Sequence, residues 1–259
     1  MLQTSSRQDS GRAFRRGGFV GGYFMRFHTG VRTPLESLES RLFLAAQAYD
    51  WKSVVIKGNG FLNGIVYAQA PGAAHIAYTH ADIGGGYRLD PTTNTWVPLN
   101  DWIQINDAIQ NNGAQTMAVD PTDPNRLYMV SGTYQSTAAF LRSTDQGRTW
   151  QRTNVSAIKV DGNGWGRNVG QRLMVDPNSP NILYYGAQDF STASRGLWKS
   201  TDYGATWNQI SSFQTFGDQW NGSYTNANGV GIGFVVFDKT SASAGNPTQT
   251  IYAGVATVT

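Results

Sequence analysis

One eight-residue pattern occurs twice in this chain, with 57 residues from one copy to the next. It reads Ser-Thr-Asp-x-Gly-x-Thr-Trp and occupies residues 143–150 and 200–207. Each copy combines an aspartate that can accept main-chain N–H groups across a tight turn, a glycine that can adopt positive φ, and a tryptophan that can be buried. Two copies at equivalent places in a longer repeat indicate a chain built from repeated β-units.

The longer repeat places two apolar strands, joined by an Asp-Pro turn, before each box. Asp120-Pro121 and Asp176-Pro177 mark this turn, and a further copy begins at 234–238. An earlier, degenerate copy runs over 64–96, with 79–84 where a box is expected. Each unit predicts four strands. We therefore expect three complete units and half of a fourth.

Four-stranded units repeated at roughly 40 to 60 residues are typical of β-propeller blades. The predicted fold is all-β, a β-propeller with three complete blades and part of a fourth. Such rings close with about four to eight blades. We therefore expect an incomplete ring, and a chain that is the N-terminal part of a longer protein.

Composition excludes several classes of site. The chain has no cysteine, so it can form neither disulfides nor thiolate metal sites. Its histidines are His28, His75 and His80, and a pair such as the last two is more often surface polar than metal-binding. We predict no metal and no cofactor.

The basic character of the chain is concentrated before the repeats. Residues 1–41 contain seven arginines and three acidic residues, a balance of +4, and the rest of the chain has a balance of −1. We therefore predict no nucleic-acid partner.

Residues 1–48 are expected to be a basic export segment, disordered or cleaved, and the domain to occupy 49–259. The apolar run at 42–46 is too short to span a membrane, and Ala46-Gln47-Ala48 has the small-x-small form of a cleavage site. The stretch 38–44 resembles the leader of exported planctomycete proteins, which implies a secreted or cell-surface protein. The alternative is an unstructured basic tail or a start codon placed too early.

The acidic residues narrow the search for catalysis. After residue 41 there is no glutamate, so a catalytic carboxylate must be one of fourteen aspartates. Five of these are expected to be structural, in boxes or inter-strand turns: Asp120, Asp145, Asp176, Asp202 and Asp238. Eight others lie in turn-like or loop contexts, where a solvent-exposed aspartate without a catalytic role is sufficient explanation: Asp50, Asp90, Asp101, Asp107, Asp123, Asp161, Asp189 and Asp218.

Asp82 has a different context. It follows an apolar strand and precedes Ile83 and three glycines, Gly84–Gly86, which would let a ligand approach the backbone closely. Because it occupies the expected place of a degenerate box, a variant turn and a functional acid remain equally plausible on the repeat alone.

Five segments are similar in order and spacing to the N-terminal half of glycoside hydrolase family 74: Tyr49–Val55, Gly58–Ile65, Thr79–Arg88, Val97–Trp102 and Leu141–Arg152. The resemblance runs from about Tyr49 to the end of the chain. It implies a xyloglucan-degrading β-1,4-glucanase built from two seven-bladed propellers with the substrate cleft between them. It also implies an inverting mechanism, with a general base on the first propeller and a general acid on the second.

The resemblance maps the general base onto Asp82 through the segment Asp82-Ile83-Gly84-Gly85. Thr79 lies two places further upstream than the family pattern expects, so the match rests on that segment. We expect Asp82 to expose an ionised carboxylate to the sugar chain. The acid, and the second propeller that carries it, would lie beyond residue 259, so we expect the chain to be inactive alone.

Sugar binding requires aromatic platforms, because a pyranose presents an apolar face to a ring. Trp150 and Trp207 belong to the boxes, and Trp96 and Trp198 are expected to pack between blades. The predicted substrate-binding residues are Gly85, Tyr87, Trp102, Trp165, Arg167 and Trp220. For these tryptophans, which lie in Gly- and Asn-rich inserts, packing is an equally good interpretation.

Two other classes of function carry the same boxes. A non-catalytic propeller that acts as a carbohydrate- or protein-binding scaffold remains compatible with the sequence. A sialidase does not, since it needs a glutamate paired with a tyrosine nucleophile, and the repeats contain no glutamate.

Overall fold

The computed structural model describes residues 55–58, 60–103, 112–133, 136–162, 170–188, 194–213 and 231–256. All of them belong to one compact unit, Lys52–Thr259. The predictions for the leader and for Trp165, Arg167 and Trp220 lie outside the described residues.

The described residues form four sheets that follow one another along the chain. The first contains Val55–Ile56 (β1), Leu62–Tyr67 (β2), Ala77–Ala81 (β3), Gly85–Asp90 (β4) and Thr95–Pro98 (β5). The second contains Ala114–Val119 (β6), Leu127–Ser131 (β7), Ser136–Ser143 (β8) and Gln151–Val160 (β9). The third contains Leu173–Val175 (β10), Leu183–Ala187 (β11), Gly196–Ser200 (β12) and Asn208–Gln209 (β13). The fourth pairs Gly231–Phe237 (β14) with Ile251–Ala256 (β15), and a short 3-10 turn, Lys239–Ser241, lies between them.

This architecture is part of a β-propeller and confirms the predicted fold class. Consecutive strands pair antiparallel within each blade, and the described part contains three blades and the first two strands of a fourth. The first blade differs from the expectation of four strands, because β1 pairs in parallel with β5 at its outer edge. The extra pairing covers a strand edge that would otherwise be open.

The turns of these blades lie at two opposite ends, because consecutive hairpins in an antiparallel meander alternate in direction. The turns after the first and third strands lie at one end, the box end. There Gln146, in the box of the second blade, donates its N–H to Asn125 O, and Tyr203, in the box of the third blade, donates to Asn181 O, at 2.9 Å in both cases. The turns after the second strands lie at the other end, the Asp82 end.

The prediction that Asp82 replaces a box in the first blade is wrong. Asp82 follows β3 and precedes β4, so it lies in the turn between the second and third strands. The place of a box is the turn between β4 and β5, where Asp90 Oδ1 accepts the N–H of Thr92 at 2.8 Å. Of the glycines after Asp82, Gly84 ends the turn, and Gly85 and Gly86 begin β4.

The two boxes share one hydrogen-bond pattern. Asp145 accepts the hydroxyl of Ser143 and both the N–H and the hydroxyl of Thr149, at 2.7 to 2.8 Å. Asp202 makes the same bonds with Ser200 and Thr206. Gly147 and Gly204 both have a φ of +80°, which an L side chain rarely adopts. The structural role predicted for these aspartates is confirmed.

The three aspartates of the inter-strand turns are also structural, as predicted. Asp120 and Asp238 accept N–H groups two residues further along the chain, at 2.8 and 2.9 Å. Asp176 does the same with Asn178 and also accepts the N–H of Thr248, which ties the third blade to the fourth.

Each box tryptophan packs against the preceding blade. Trp207 of the third blade lies 4.4 Å from Phe140 of the second, ring centroid to ring centroid. Trp150 of the second blade packs on the apolar cluster around Tyr78 of the first and donates its indole N–H to Leu99 O at 3.0 Å. The box therefore joins neighbouring blades as well as shaping its own turn.

A second repeat, absent from the sequence analysis, accompanies this contact. A tyrosine near the start of each second strand pairs across to a cation on the third: Tyr78 with Arg88, Tyr128 with Arg142, and Tyr184 with Lys199. The Arg88 guanidinium donates to Gln146 O in the next box at 2.8 Å. Side chains of one blade thus bond to the turn of the next.

We predict that Asp145→Ala lowers the free energy of unfolding by about 2 kcal/mol, because three hydrogen bonds within the box are lost. Chemical denaturation of the 1–259 chain measures the change. Thr144→Ala, at an exposed position of the same box, is the control and should change stability little. Equal stability of the two variants would contradict the role of the Asp145 carboxylate.

Candidate functional site

The carboxyl group of Asp82 is held by main-chain groups on both sides. Its Oδ1 accepts the N–H of Phe61 at 2.7 Å and of Ile83 at 2.8 Å, and Asp82 N donates to Phe61 O at 3.1 Å. A Cβ at Gly60, whose φ is +115°, would lie 2.4 Å from Oδ1. The loop before β2 therefore closes tightly around the carboxylate, and a glycine permits that approach.

Asp82 is less exposed than the sequence predicts, with 4% of its surface accessible. The two residues whose N–H groups hold Oδ1 are themselves exposed, Phe61 by 49% and Ile83 by 37%. The nearly buried carboxyl group is thus bound by the main chain of two exposed apolar residues.

Three hydrogen-bonded glycines of the second blade pack against the main chain of the Asp82 turn. Gly132 N donates to Gly113 O at 2.8 Å, and Gly162 N donates to Gly132 O at 2.9 Å. A Cβ at Gly113 would lie 2.0 Å from the carbonyl oxygen of Asp82, and one at Gly162 would lie 2.4 Å from it. Only main chain fits at this distance. No sequence pattern connects these glycines; their common feature is that each adjoins the Asp82 end of a strand.

Gly85 and Tyr87, predicted to bind substrate, shape the turn instead. Gly85 has a φ of +85°, and a Cβ there would lie 2.0 Å from Asn100 Oδ1, which accepts the N–H of Gly86. Tyr87 is 2% exposed and donates its hydroxyl to Gly84 O at 2.7 Å. Neither presents a surface to a sugar in this structure, because both residues are buried.

Trp102 remains a candidate platform, with 48% of its surface exposed. Its indole N–H donates to Leu99 O at 3.1 Å, and its ring lines a cavity of about 300 Å³ together with Arg88 and Arg148. Asp82 does not line that cavity. In this cavity, as the described residues line it, Trp102 and Asp82 are therefore not brought together.

A buried histidine lies two residues before Asp82 on β3. His80 is 1% exposed, its Nδ1 is 3.2 Å from Ala114 O, and its Nε2 is 3.4 Å from Gln171 Nε2. Donation from Nδ1 leaves Nε2 to accept from Gln171, whose Oε1 accepts the Thr116 hydroxyl at 2.9 Å. Burial lowers the pKa of His80 to about 4, although its bond to Ala114 O opposes the shift. The imidazole is therefore neutral and joins three blades through Gln171.

Within the ranges described above, no group of three or more histidines or acidic residues is placed to hold a metal ion. The same ranges contain no helix long and apolar enough to cross a membrane.

We predict that the stability of the chain decreases as the pH falls from about 6.5 to about 4. The unfolded histidine binds a proton in this range while folded His80 does not, so the unfolded state binds more protons and gains stability as pH falls. Denaturation midpoints across this range measure the effect, and His80→Gln should flatten the slope. His75→Gln, at an exposed position, should leave the slope unchanged; an equal slope for the His80 variant and the parent chain would contradict the prediction.

The chain is similar to known xyloglucanases over most of its length. It is 46% identical over 217 residues to xyloglucanase Xgh74A of Acetivibrio thermocellus, which covers 80% of this chain and 25% of that protein. It is 42% identical over 219 residues to a xyloglucanase of Paenibacillus sp., covering 82% of this chain and 20% of that protein. No family model matches the chain.

Solved structures agree with these relatives. The GH74 xyloglucanase of Xanthomonas campestris superimposes with a TM-score of 0.68 at 39% identity, over 81% of this chain and 29% of that one. The GH74 enzyme of Niastella koreensis gives a TM-score of 0.63 at 39% identity, over 78% and 27%. The chain thus spans about a quarter of the length of the proteins it matches.

Proposed function

The chain belongs to glycoside hydrolase family 74 over the part that its relatives match, and we propose that the whole protein is an inverting endo-β-1,4-glucanase with Asp82 as its general base. The substrate is xyloglucan or a related plant β-glucan. The general acid is a carboxyl group outside residues 1–259, on a second propeller. The protein acts outside the cell, where such polymers occur.

The observation that carries this proposal is the construction around Asp82. Among the aspartates whose contacts the structure describes, those of the boxes and inter-strand turns accept N–H groups of their own turns at the box end, and Asp176 accepts a further N–H from Thr248 there. Asp82 lies at the opposite end, where Gly60 and Phe61 come from a separate loop to hold it. A tightly held carboxylate outside the repeated turn chemistry supports a role in catalysis rather than in folding.

An inverting hydrolase needs one carboxylate to deprotonate a water on the face of the sugar opposite the leaving group, while a second carboxyl protonates the glycosidic oxygen. The two carboxyl groups stand about 6.5 to 9.5 Å apart to admit the water. Asp82 performs the first of these steps. Its main-chain donors fix the carboxylate before substrate arrives, and fixed geometry lowers the cost of reaching the transition state.

We predict that Asp82→Asn in the whole protein lowers kcat on xyloglucan by about 10²- to 10⁴-fold, because the amide cannot accept the proton of the water. Reducing-end assays measure the rate, and NMR of the first product reports whether its anomeric centre is inverted. Asp90→Asn is the matched control, since Asp90 lies in the same blade but in the turn at the box end; it should retain activity.

The same pair of variants distinguishes the hydrolase hypothesis from the hypothesis of a non-catalytic scaffold. A non-catalytic propeller binds its ligand without turnover, so neither substitution changes any rate. Full activity of the Asp82→Asn variant would exclude Asp82 as the base.

We predict that purified 1–259 alone does not hydrolyse xyloglucan, because a base without its partner acid cannot assist departure of the leaving group. Prolonged incubation with sensitive detection of new reducing ends tests this. Turnover abolished by Asp82→Asn would show that the acid lies within the chain and contradict its proposed place.

A further inference from the structure

Phe61 combines exposure with a direct link to Asp82. It is an aromatic residue with 49% of its surface accessible. Its main chain makes two hydrogen bonds with Asp82: the Phe61 N–H donates to the carboxylate, and the Phe61 carbonyl accepts the N–H of Asp82. Phe61 is not among the residues predicted from the sequence, because it precedes a strand and belongs to no tryptophan-containing insert.

A second exposed apolar residue also holds the Asp82 carboxylate. Ile83, whose N–H donates to Asp82 Oδ1 as that of Phe61 does, is 37% exposed. Exposed apolar side chains are common singly. Here two of them belong to residues whose main chain binds one nearly buried carboxyl group, an arrangement that a ligand with both an apolar face and polar edges would match.

Two other predicted aromatic residues do not combine exposure with a link to Asp82. Tyr87 is buried and its hydroxyl donates to Gly84 O, and Trp102 lines a cavity that does not include Asp82. Among the described residues, Phe61 is therefore the aromatic side chain that is both exposed and joined to Asp82.

We propose that Phe61 is a sugar-binding platform, whose ring packs against the apolar face of a β-glucan backbone unit next to Asp82. This inference rests on the proposed function. The ring fixes the pyranose relative to the carboxylate, while the Phe61 N–H fixes the carboxylate itself. One residue thus positions both reaction partners, the substrate by its side chain and the base by its main chain.

Phe61→Leu removes the ring and keeps both main-chain bonds to Asp82. In the whole protein it should weaken binding of xyloglucan oligosaccharides about 10-fold, as expected for loss of one aromatic contact. Isothermal titration in the Asp82→Asn background measures binding without turnover, and the thermal midpoint should be unchanged. Phe61→Tyr restores a ring and should restore affinity.

Tyr67→Leu is the matched control. Tyr67 is an aromatic residue at the far end of β2, the strand that Phe61 precedes; it is 56% exposed and lines a cavity that does not include Asp82. It should leave affinity unchanged. Equal affinities for Phe61→Leu and Tyr67→Leu would overturn the platform.

The two proposals fail in different ways. If Asp82→Asn keeps full activity while Phe61→Leu loses affinity, the platform stands and the role of Asp82 as base does not. If Asp82→Asn abolishes turnover while Phe61→Leu binds as tightly as the parent, the base stands and the platform does not.

Discussion

In both boxes an aspartate and a serine hydroxyl bind the main chain of a turn whose glycine has positive φ, and the following tryptophan packs on the blade before it. These bonds satisfy buried polar groups within the turn, so the tryptophan can enter the apolar layer without leaving a donor unpaired. The contact between blades therefore depends on the box. The Tyr–cation pairs add a second connection at the same end, as the bond from Arg88 to Gln146 O shows.

Because the boxes join the blades at one end, the residues at the opposite end are not needed for that contact and can serve catalysis. There the chain uses glycines in place of side chains, so that main-chain segments of two blades approach within contact of the Asp82 turn. The main-chain N–H groups of Phe61 and Ile83 hold the carboxylate, and Gly113 and Gly162 of the second blade pack against the carbonyl group of Asp82. A catalytic group in a propeller benefits from this separation, since its position is fixed by the scaffold rather than by a flexible loop.

The blade pattern could be predicted because its signals are local. Asp, Gly and Trp at fixed spacing predict the turn, and the second copy of this pattern indicates the repeat. The position of Asp82 within its blade could not be read in this way, because the run Gly84–Gly86 resembles a turn, yet β4 begins within it at Gly85. Tyr87 is predicted to bind substrate, but its proximity in sequence to Asp82 does not reveal that its side chain is buried.

The contacts that shape the site join segments far apart in the chain. Asp82 meets Phe61, Gly113 and Gly162, and no periodicity in the sequence connects these residues. His80 and Gln171 are a similar case, since their contact spans 91 residues and links the first blade to the third. Phe61 was missed because its significance lies in a main-chain bond, which its residue type does not disclose.

The most direct test of the account is the structure of the whole protein, as the Asp82→Asn variant, with a xyloglucan oligosaccharide bound. We expect the sugar chain to cross the Asp82 end, with a water about 2.6 to 3.2 Å from the residue-82 side chain on the face of the ring opposite the leaving group. An oligosaccharide bound at the box end, or one that leaves residue 82 beyond reach of any water next to the anomeric carbon, would contradict the assignment of Asp82 as the base.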